Sequence, residues 1–148
     1  MLARELMTPD PSHVTPDDPI SVAAELMRDL DVGMMPVVEN RNEKRLIGVI
    51  TDRDIAVRCV AGRHAPGCRV RDHMSSRPVY SIDPDADVSN VLATMKGERV
   101  RRVPVVSDRG TLLGIIAQAD LATRLGPERP LDVEKVLERV SEPAHAHG

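Results

Sequence analysis

Apolar residues along this chain fall into helix-period and strand-length groups in a fixed order, and that order occurs twice. Over 3–7 a short helical turn fits, before Thr8-Pro9 breaks it. Four prolines (Pro9, Pro11, Pro16 and Pro19) then forbid a helix and predict an extended segment containing Val14. From residue 20 the period changes. Ile20, Ala23, Leu26, Met27 and Leu30 share one helical face, with Arg28 and Asp29 off it. Asp18 before Pro19 is placed to cap that helix, and Gly33 to end it. Residues 34–38 and 46–50 are apolar runs of strand length separated by a polar turn, the pattern of a hairpin. Ile55, Val57, Cys59 and Val60 restore a helical pattern over about 52–61, and 62–67 reads as a linker.

The second half repeats the first. Residues 69–74 match 4–7 as a short basic turn ending in methionine, and 79–82 is extended. Pro84-Asp85, Met95 and Pro104-Val105-Val106 repeat Pro16-Asp17, Met27 and Pro36-Val37-Val38 at an offset of 68 positions. Gly114 and Asp120 repeat Gly48 and Asp54 at an offset of 66, because the hairpin turn over 107–111 is two residues shorter. Chance periodicity does not hold several unrelated landmarks in register, so the chain reads as one unit written twice. A further helix is predicted over 131–140, followed by a polar tail with two histidines.

The chemistry-bearing stretch is the strand-to-helix junction Gly48-Val49-Ile50-Thr51-Asp52-Arg53-Asp54. Thr-x-x-Asp before an apolar helix resembles a capping box, which explains both residues without a ligand. The same junction leaves polar side chains and backbone N–H groups at one edge, where an anion or a sugar hydroxyl can bind. Its repeat, Gly114 to Asp120, keeps the acid but has Ala117 in place of the hydroxyl residue.

Composition narrows the function classes. Tyr80 is the one aromatic residue apart from histidine, so the core is aliphatic and methionine-rich and offers no platform for stacking nucleic-acid bases. A net charge of -3 over 148 residues gives no polyanion signature. No apolar run approaches a membrane span and residues 1–10 contain no signal-peptide core, so a cytoplasmic protein is expected. Cys59 and Cys68 are neither a disulfide framework nor a zinc set by spacing; a half-buried Cys59 with a loop Cys68 and a redox pair are the two readings of them. His13, His64 and His73 show no metal-ligand spacing, so no metal is expected. There is no nucleophile motif and no P-loop, so no enzyme is expected.

With methionine before the extended segment, Pro-Asp before the first helix, a Pro-Val-Val strand and Gly-apolar-apolar-x-x-x-Asp in each copy, the chain resembles a tandem pair of cystathionine-β-synthase (CBS) domains over about 2–125. Thr51-Asp52-Arg53-Asp54-Ile55 and Arg101-Arg102-Val103-Pro104-Val105 make it similar to small stand-alone bacterial CBS pairs of the hypoxia and stress type. The resemblance implies an α/β (α+β) fold of two β-α-β-β-α repeats, packed through their sheets about a pseudo-twofold axis. The boundaries would be repeat 1 at 1–62, linker 63–68, repeat 2 at 69–126, and a C-terminal helix with flexible tail at 127–148.

It also implies a ligand site. By family analogy Thr51 and Asp54 would hold a ribose, Arg101 and Arg102 the phosphates, and Pro78, Val79, Tyr80 and Ile50 the adenine. The second cleft, around Asp120, would be weak: its phosphate positions are Gly33 and Met34, which carry no charge. The expected function is a regulatory module, a homodimer with no obligatory cofactor, taking AMP, ADP or ATP in one cleft and acting on an unknown effector protein. No nucleic-acid or membrane partner is expected. The alternative is a ligand-independent dimeric scaffold with vestigial clefts.

Overall fold

The computed structural model describes residues 1–64, 67–76 and 80–125. In chain order these form α1 (Ala3–Leu6), β1 (Thr8–Pro9), α2 (Ile20–Leu30), β2 (Met34–Val38), β3 (Leu46–Thr51) and a π-helical segment, Asp54–Val60. A single 3₁₀ turn (Val70–Asp72), α3 (Val88–Glu98), β4 (Arg102–Val106), β5 (Leu112–Ala117), α4 (Gln118–Asp120) and a second π-helical segment (Leu121–Leu125) follow. The fold is α+β, as the resemblance implies. The helix expected over 131–140, the tail, and Pro78 and Val79 lie outside the described residues.

The elements assort into two compact units that do not follow chain order. The first-repeat unit holds the described residues of 10–79 together with 107–112; the second-repeat unit holds 1–9, 80–106 and the described residues from 113 on. In the first-repeat unit β2 and β3 pair antiparallel, Met34 against Thr51 and Met35 against Ile50, with a register shift between Val37 and Val38. Val14 adds a parallel bridge to Val37: its N–H donates to the Pro36 carbonyl at 3.0 Å, and Val38 N–H returns a bond at 2.9 Å. In the second-repeat unit the sheet order is β1-β5-β4, and Ile82 bridges Val105 in the same parallel way. Each unit has its own aliphatic core. Val14, Ile20, Ala23, Met27, Val37 and Ile50 contribute to one, and Leu6, Val91, Met95, Val103, Val105 and Ile116 to the other.

The short helical turns are exchanged between the repeats. The N-terminal turn packs in the second-repeat unit, where Ala3 and Arg4 N–H donate to the carbonyls of Ala86 and Pro84, and Val88 N–H to that of Met1. The turn after the first repeat packs in the first-repeat unit by the same bonds: Val70 and Arg71 N–H to Asp18 and Pro16, and Ile20 N–H to Cys68. Ion pairs match as well, Arg4 with Asp85 and Arg71 with Asp17. Two motifs noticed in the sequence as separate landmarks are thereby one contact. A Cβ on Gly48 would stand 2.6 Å from the Ser75 carbonyl and press on the Met74 methyl, and one on Gly114 would press on Met7 and the Thr8 carbonyl. Glycine is required because a methionine and the chain after it cross directly over the strand.

Two expectations are corrected. Helix α2 is not ended by Gly33. Asp31 takes the left-handed conformation (φ 55°), and Val32 N–H closes onto the Met27 carbonyl at 3.0 Å, a Schellman motif with a non-glycine residue in the strained position. α3 ends identically at Arg99 (φ 55°), where Val100 N–H reaches Met95 at 3.2 Å. Nor does Asp18 cap α2: its carboxylate accepts the Thr15 N–H at 2.8 Å and pairs with Arg41 at 2.6 Å, leaving Pro19 as an N-cap with no side-chain bond.

Candidate functional site

The β3 edge ends at Thr51, and the chain turns at once into the π-helical segment, so Thr51 and Asp54 face each other across a single turn. Asp54 N–H donates to Thr51 Oγ1 at 3.1 Å, and Thr51 N–H donates to Asp54 Oδ2 at 2.9 Å. This is a complete capping box with aspartate in place of glutamate. It leaves the Thr51 hydroxyl proton and Asp54 Oδ1 uncommitted to the cap. Oδ1 lies 3.8 Å from Arg58 Nε, one helical turn on, and the Asp54 side chain is 14% exposed. A carboxylate oxygen held beside a hydroxyl donor is the pair a vicinal diol needs.

The counterpart junction, in the second-repeat unit, is half-built. Ala117 N–H donates to Asp120 Oδ2 at 2.7 Å, but Ala117 has no oxygen to return the bond. The backbone around the two junctions is equivalent: Asp52 N–H donates to the Gly33 carbonyl, and Gln118 N–H to the Arg101 carbonyl, both at 2.9 Å. Their charges are opposite. A Cβ on Gly33 would stand 3.1 Å from Asp52 Oδ2, so position 33 sits against a carboxylate. Position 101 carries a guanidinium on a backbone bonded to neutral Gln118. Arg101 is exposed and Arg102 half-buried, and neither has an ion-pair partner among the described residues.

The structure therefore brings Thr51 and Asp54 together in the first-repeat unit, while Arg101, Arg102, Tyr80 and Asp120 belong to the second-repeat unit. Tyr80 is half-buried. Ile50 is fully buried in the core of its unit, because alternate residues of β3 point inward there, and it offers no surface to a base. Pro78 and Val79 lie outside the described residues.

A second polar cluster was invisible to sequence spacing. His73 is 4% exposed and Cys59 5%; with half-buried Cys68, their sulfur and nitrogen atoms lie within 4.8 Å of one another. Burial, and then the neighbouring Cys59 thiol, push the Cys68 thiol up from its ordinary value. The signal that finds this cluster is the repeat register. The hydrogen-bond and helix equivalences pair Cys59, Cys68 and His73 with Leu125, Met1 and Leu6, so three apolar positions of one repeat are ligand-type residues in the other.

Comparison with known proteins accounts for both halves of the chain. The CBS domain family matches residues 3–60 and 70–126. Hypoxic response protein 1 of Mycobacterium tuberculosis is 33% identical over 129 residues, 87% of each chain. A crystal structure of Hypoxic Response Protein I with two coordinated zinc ions superposes with a TM-score of 0.74 at 32% identity, covering 84% of this chain and 99% of that one. A crystal structure of CBSX2 in complex with AMP shares the fold, with a TM-score of 0.69 at 24% identity over 82% of this chain and 93% of that one. Among the described residues no helix is long and apolar enough to cross a membrane. With two matched repeats, two equivalent cores and similarity to a stand-alone pair over most of its length, the chain belongs to the CBS domain family.

Proposed function

We propose that this chain is a regulatory module that binds one adenine nucleotide, AMP, ADP or ATP, and passes the signal through a homodimer to an effector protein. The observation that carries the reading is the asymmetry of the junctions: of the two, the Thr51–Asp54 turn alone pairs a hydroxyl donor with a carboxylate oxygen that the cap does not use. In this reading Asp54 Oδ1 and Thr51 take the ribose hydroxyls, and Arg101 or Arg102 the phosphates. The AMP bound by CBSX2 supports the ligand class. Titration calorimetry with AMP, ADP, ATP and S-adenosylmethionine tests it. One site per chain for an adenine nucleotide is expected, and no heat and no thermal shift at millimolar ligand would sink the reading, since ligand at a hundredfold over Kd adds about 2.7 kcal/mol.

One observation favours the scaffold alternative. Thr51 and Asp54 already satisfy each other's backbone N–H groups, so selection for a stable helix start is enough to retain both. A dimer that forms without nucleotide and is indifferent to it would decide for the scaffold.

A further inference from the structure

We propose that Cys59, Cys68 and His73, joined by His64, form a zinc site that ties the turn after the first repeat to the π-helical segment. The geometry is independent of the nucleotide reading. The ligand atoms of Cys59, Cys68 and His73 lie within 4.8 Å of one another, and His64 Nδ1 is 3.0 Å from His73 Nε2, the two rings stacked with centroids 4.9 Å apart. A tetrahedral ion with Zn–S of about 2.3 Å and Zn–N of about 2.0 Å needs its ligand atoms about 3.3–3.8 Å apart. A closure of about 1 Å by side chains alone brings the three together, and rotation of exposed His64 supplies the fourth.

The local backbone is built for this convergence. The wide turns of the π-helical segment end with Ala61 N–H on the Ala56 carbonyl, and His64 N–H continues the pattern onto the Cys59 carbonyl, both at 3.0 Å. Arg63 takes the left-handed conformation (φ 58°) to fold the chain back. A Cβ on Gly62 would stand 2.5 Å from the Arg58 carbonyl, so the tight turn that carries His64 needs a glycine there, and His64 Nε2 packs close by, 3.2 Å from the same Cβ position. Burial gives the second argument. The other repeat fills the position of His73 with fully buried Leu6, so the fold itself does not require a polar ring at this place. Two thiolates also cancel the charge of a divalent ion: binding releases one proton from each thiol to solvent and leaves a neutral, buried centre. Two sulfurs and two imidazoles suit zinc better than magnesium or calcium, which take oxygen.

The test uses the full chain, reduced, stripped with a chelator, and titrated with Co²⁺ and then Zn²⁺. One Co²⁺ per chain is expected, with intense tetrahedral d–d bands and a thiolate-to-cobalt charge-transfer band, a signature that histidines of the tail alone do not produce. Stoichiometric Zn²⁺ should bleach both bands and raise the melting temperature. Cys59→Ser and Cys68→Ser should each remove about half of the charge-transfer intensity and weaken zinc at least about tenfold. His64→Ala, at an exposed position that leaves the fold intact by circular dichroism, should shift the d–d bands and also weaken zinc about tenfold. No cobalt spectrum, or one unchanged in Cys68→Ser, overturns the site, and zinc affinity unchanged in His64→Ala overturns the four-ligand set. So does isolation under anaerobic conditions as a Cys59–Cys68 disulfide that has no zinc affinity once reduced.

Discussion

At the ends of β3 and β5 the chain makes the same turn with different chemistry. In both, an aspartate three residues on accepts the N–H of the last strand residue, and the next residue pairs back to the carbonyl before the partner strand. What the two turns share is therefore what the fold needs. Asp54 and Asp120 are helix-start residues first, and an aspartate at this position is not by itself a sign of ribose binding. What differs is not required by the fold: Thr51 against Ala117, Arg101 against Gly33, Gln118 against Asp52. Those differences point one way. They give the first junction a hydroxyl donor, give the second repeat guanidinium groups with no ion-pair partner among the described residues, and put a carboxylate beside the equivalent position of the first.

The widest separation of the two junctions is expected in nucleotide binding. Asp54→Ala should weaken AMP, ADP or ATP about 10–100-fold, the loss of one or more hydrogen bonds to a charged group at roughly 1.5–3 kcal/mol each. Asp120→Ala should leave affinity unchanged within about twofold, while both variants lose similar stability, about 1 kcal/mol, because both lose the same carboxylate-to-N–H bond. Calorimetry and urea unfolding read the two quantities separately. Equal losses of affinity would erase the distinction between the junctions.

Where the repeats agree, substitutions should hurt equally. Gly48→Ala and Gly114→Ala each force a Cβ into the backbone carbonyl of the crossing chain, Ser75 in one unit and Thr8 in the other. A destabilisation of about 1–3 kcal/mol is expected from each, the range for overpacking a well-filled site. A large effect at one glycine and none at the other, by urea midpoint, would show that the exchanged turns are not equivalent.

The repeat was legible because its landmarks are backbone requirements. Pro-Val-Val, the paired methionines and Gly48 with Gly114 mark positions where one contact is made twice. Strand bounds were legible for the same reason: residues 34–38 coincide with Met34–Val38, and 46–50 falls one short of Leu46–Thr51. The helix ends were not. Asp31 and Arg99 occupy a conformation that sequence rules assign to glycine, at a cost of about 1–2 kcal/mol offset by the Schellman bonds behind them. The exchange of the short turns was also hidden, because the hydrogen bonds that fix it join residues far apart in sequence. So was the Cys59–Cys68–His73 cluster: its spacing matches no zinc motif, and only the path of the chain between the π-helical segment and the 3₁₀ turn brings the three together. At the candidate nucleotide site, the capping box was read from Thr-x-x-Asp and is present. Ile50 was misplaced because an apolar residue beside a site cannot be told from a core residue until its direction on the strand is known.

Grafting tests the cap alone. Thr51→Ala should cost about 1 kcal/mol by leaving the Asp54 N–H without its side-chain acceptor. Ala117→Thr should stabilise by a few tenths to about 1 kcal/mol by completing the half-built box. On the proposed reading it should not create a second nucleotide site, because position 33 carries no charge and lies against the Asp52 carboxylate. If Ala117→Thr doubles the binding stoichiometry, the Asp52 carboxylate beside uncharged Gly33 is not what distinguishes the two repeats.

The smallest expected difference is in acid stability. Asp18 belongs to the first-repeat unit, and Ala86 stands at its place in the second. Partial burial pushes the Asp18 carboxyl up, but the Arg41 guanidinium and the Thr15 N–H outweigh it and hold the carboxyl below its ordinary value of 3.8. The folded state thus binds this proton less readily than the unfolded chain. The stabilisation is fully present above about pH 5, where the unfolded carboxylate is ionised, and is lost as pH falls through the unfolded value toward the lower folded one. Asp18→Asn should lower the urea midpoint at pH 7 and show a shallower decline below about pH 5 than the parent chain, while Ala86→Asn should change neither. A parent and an Asp18→Asn variant whose midpoints fall in parallel between pH 7 and pH 3 would mean that Arg41, more than half exposed, holds Asp18 too loosely for the pair to stabilise the fold.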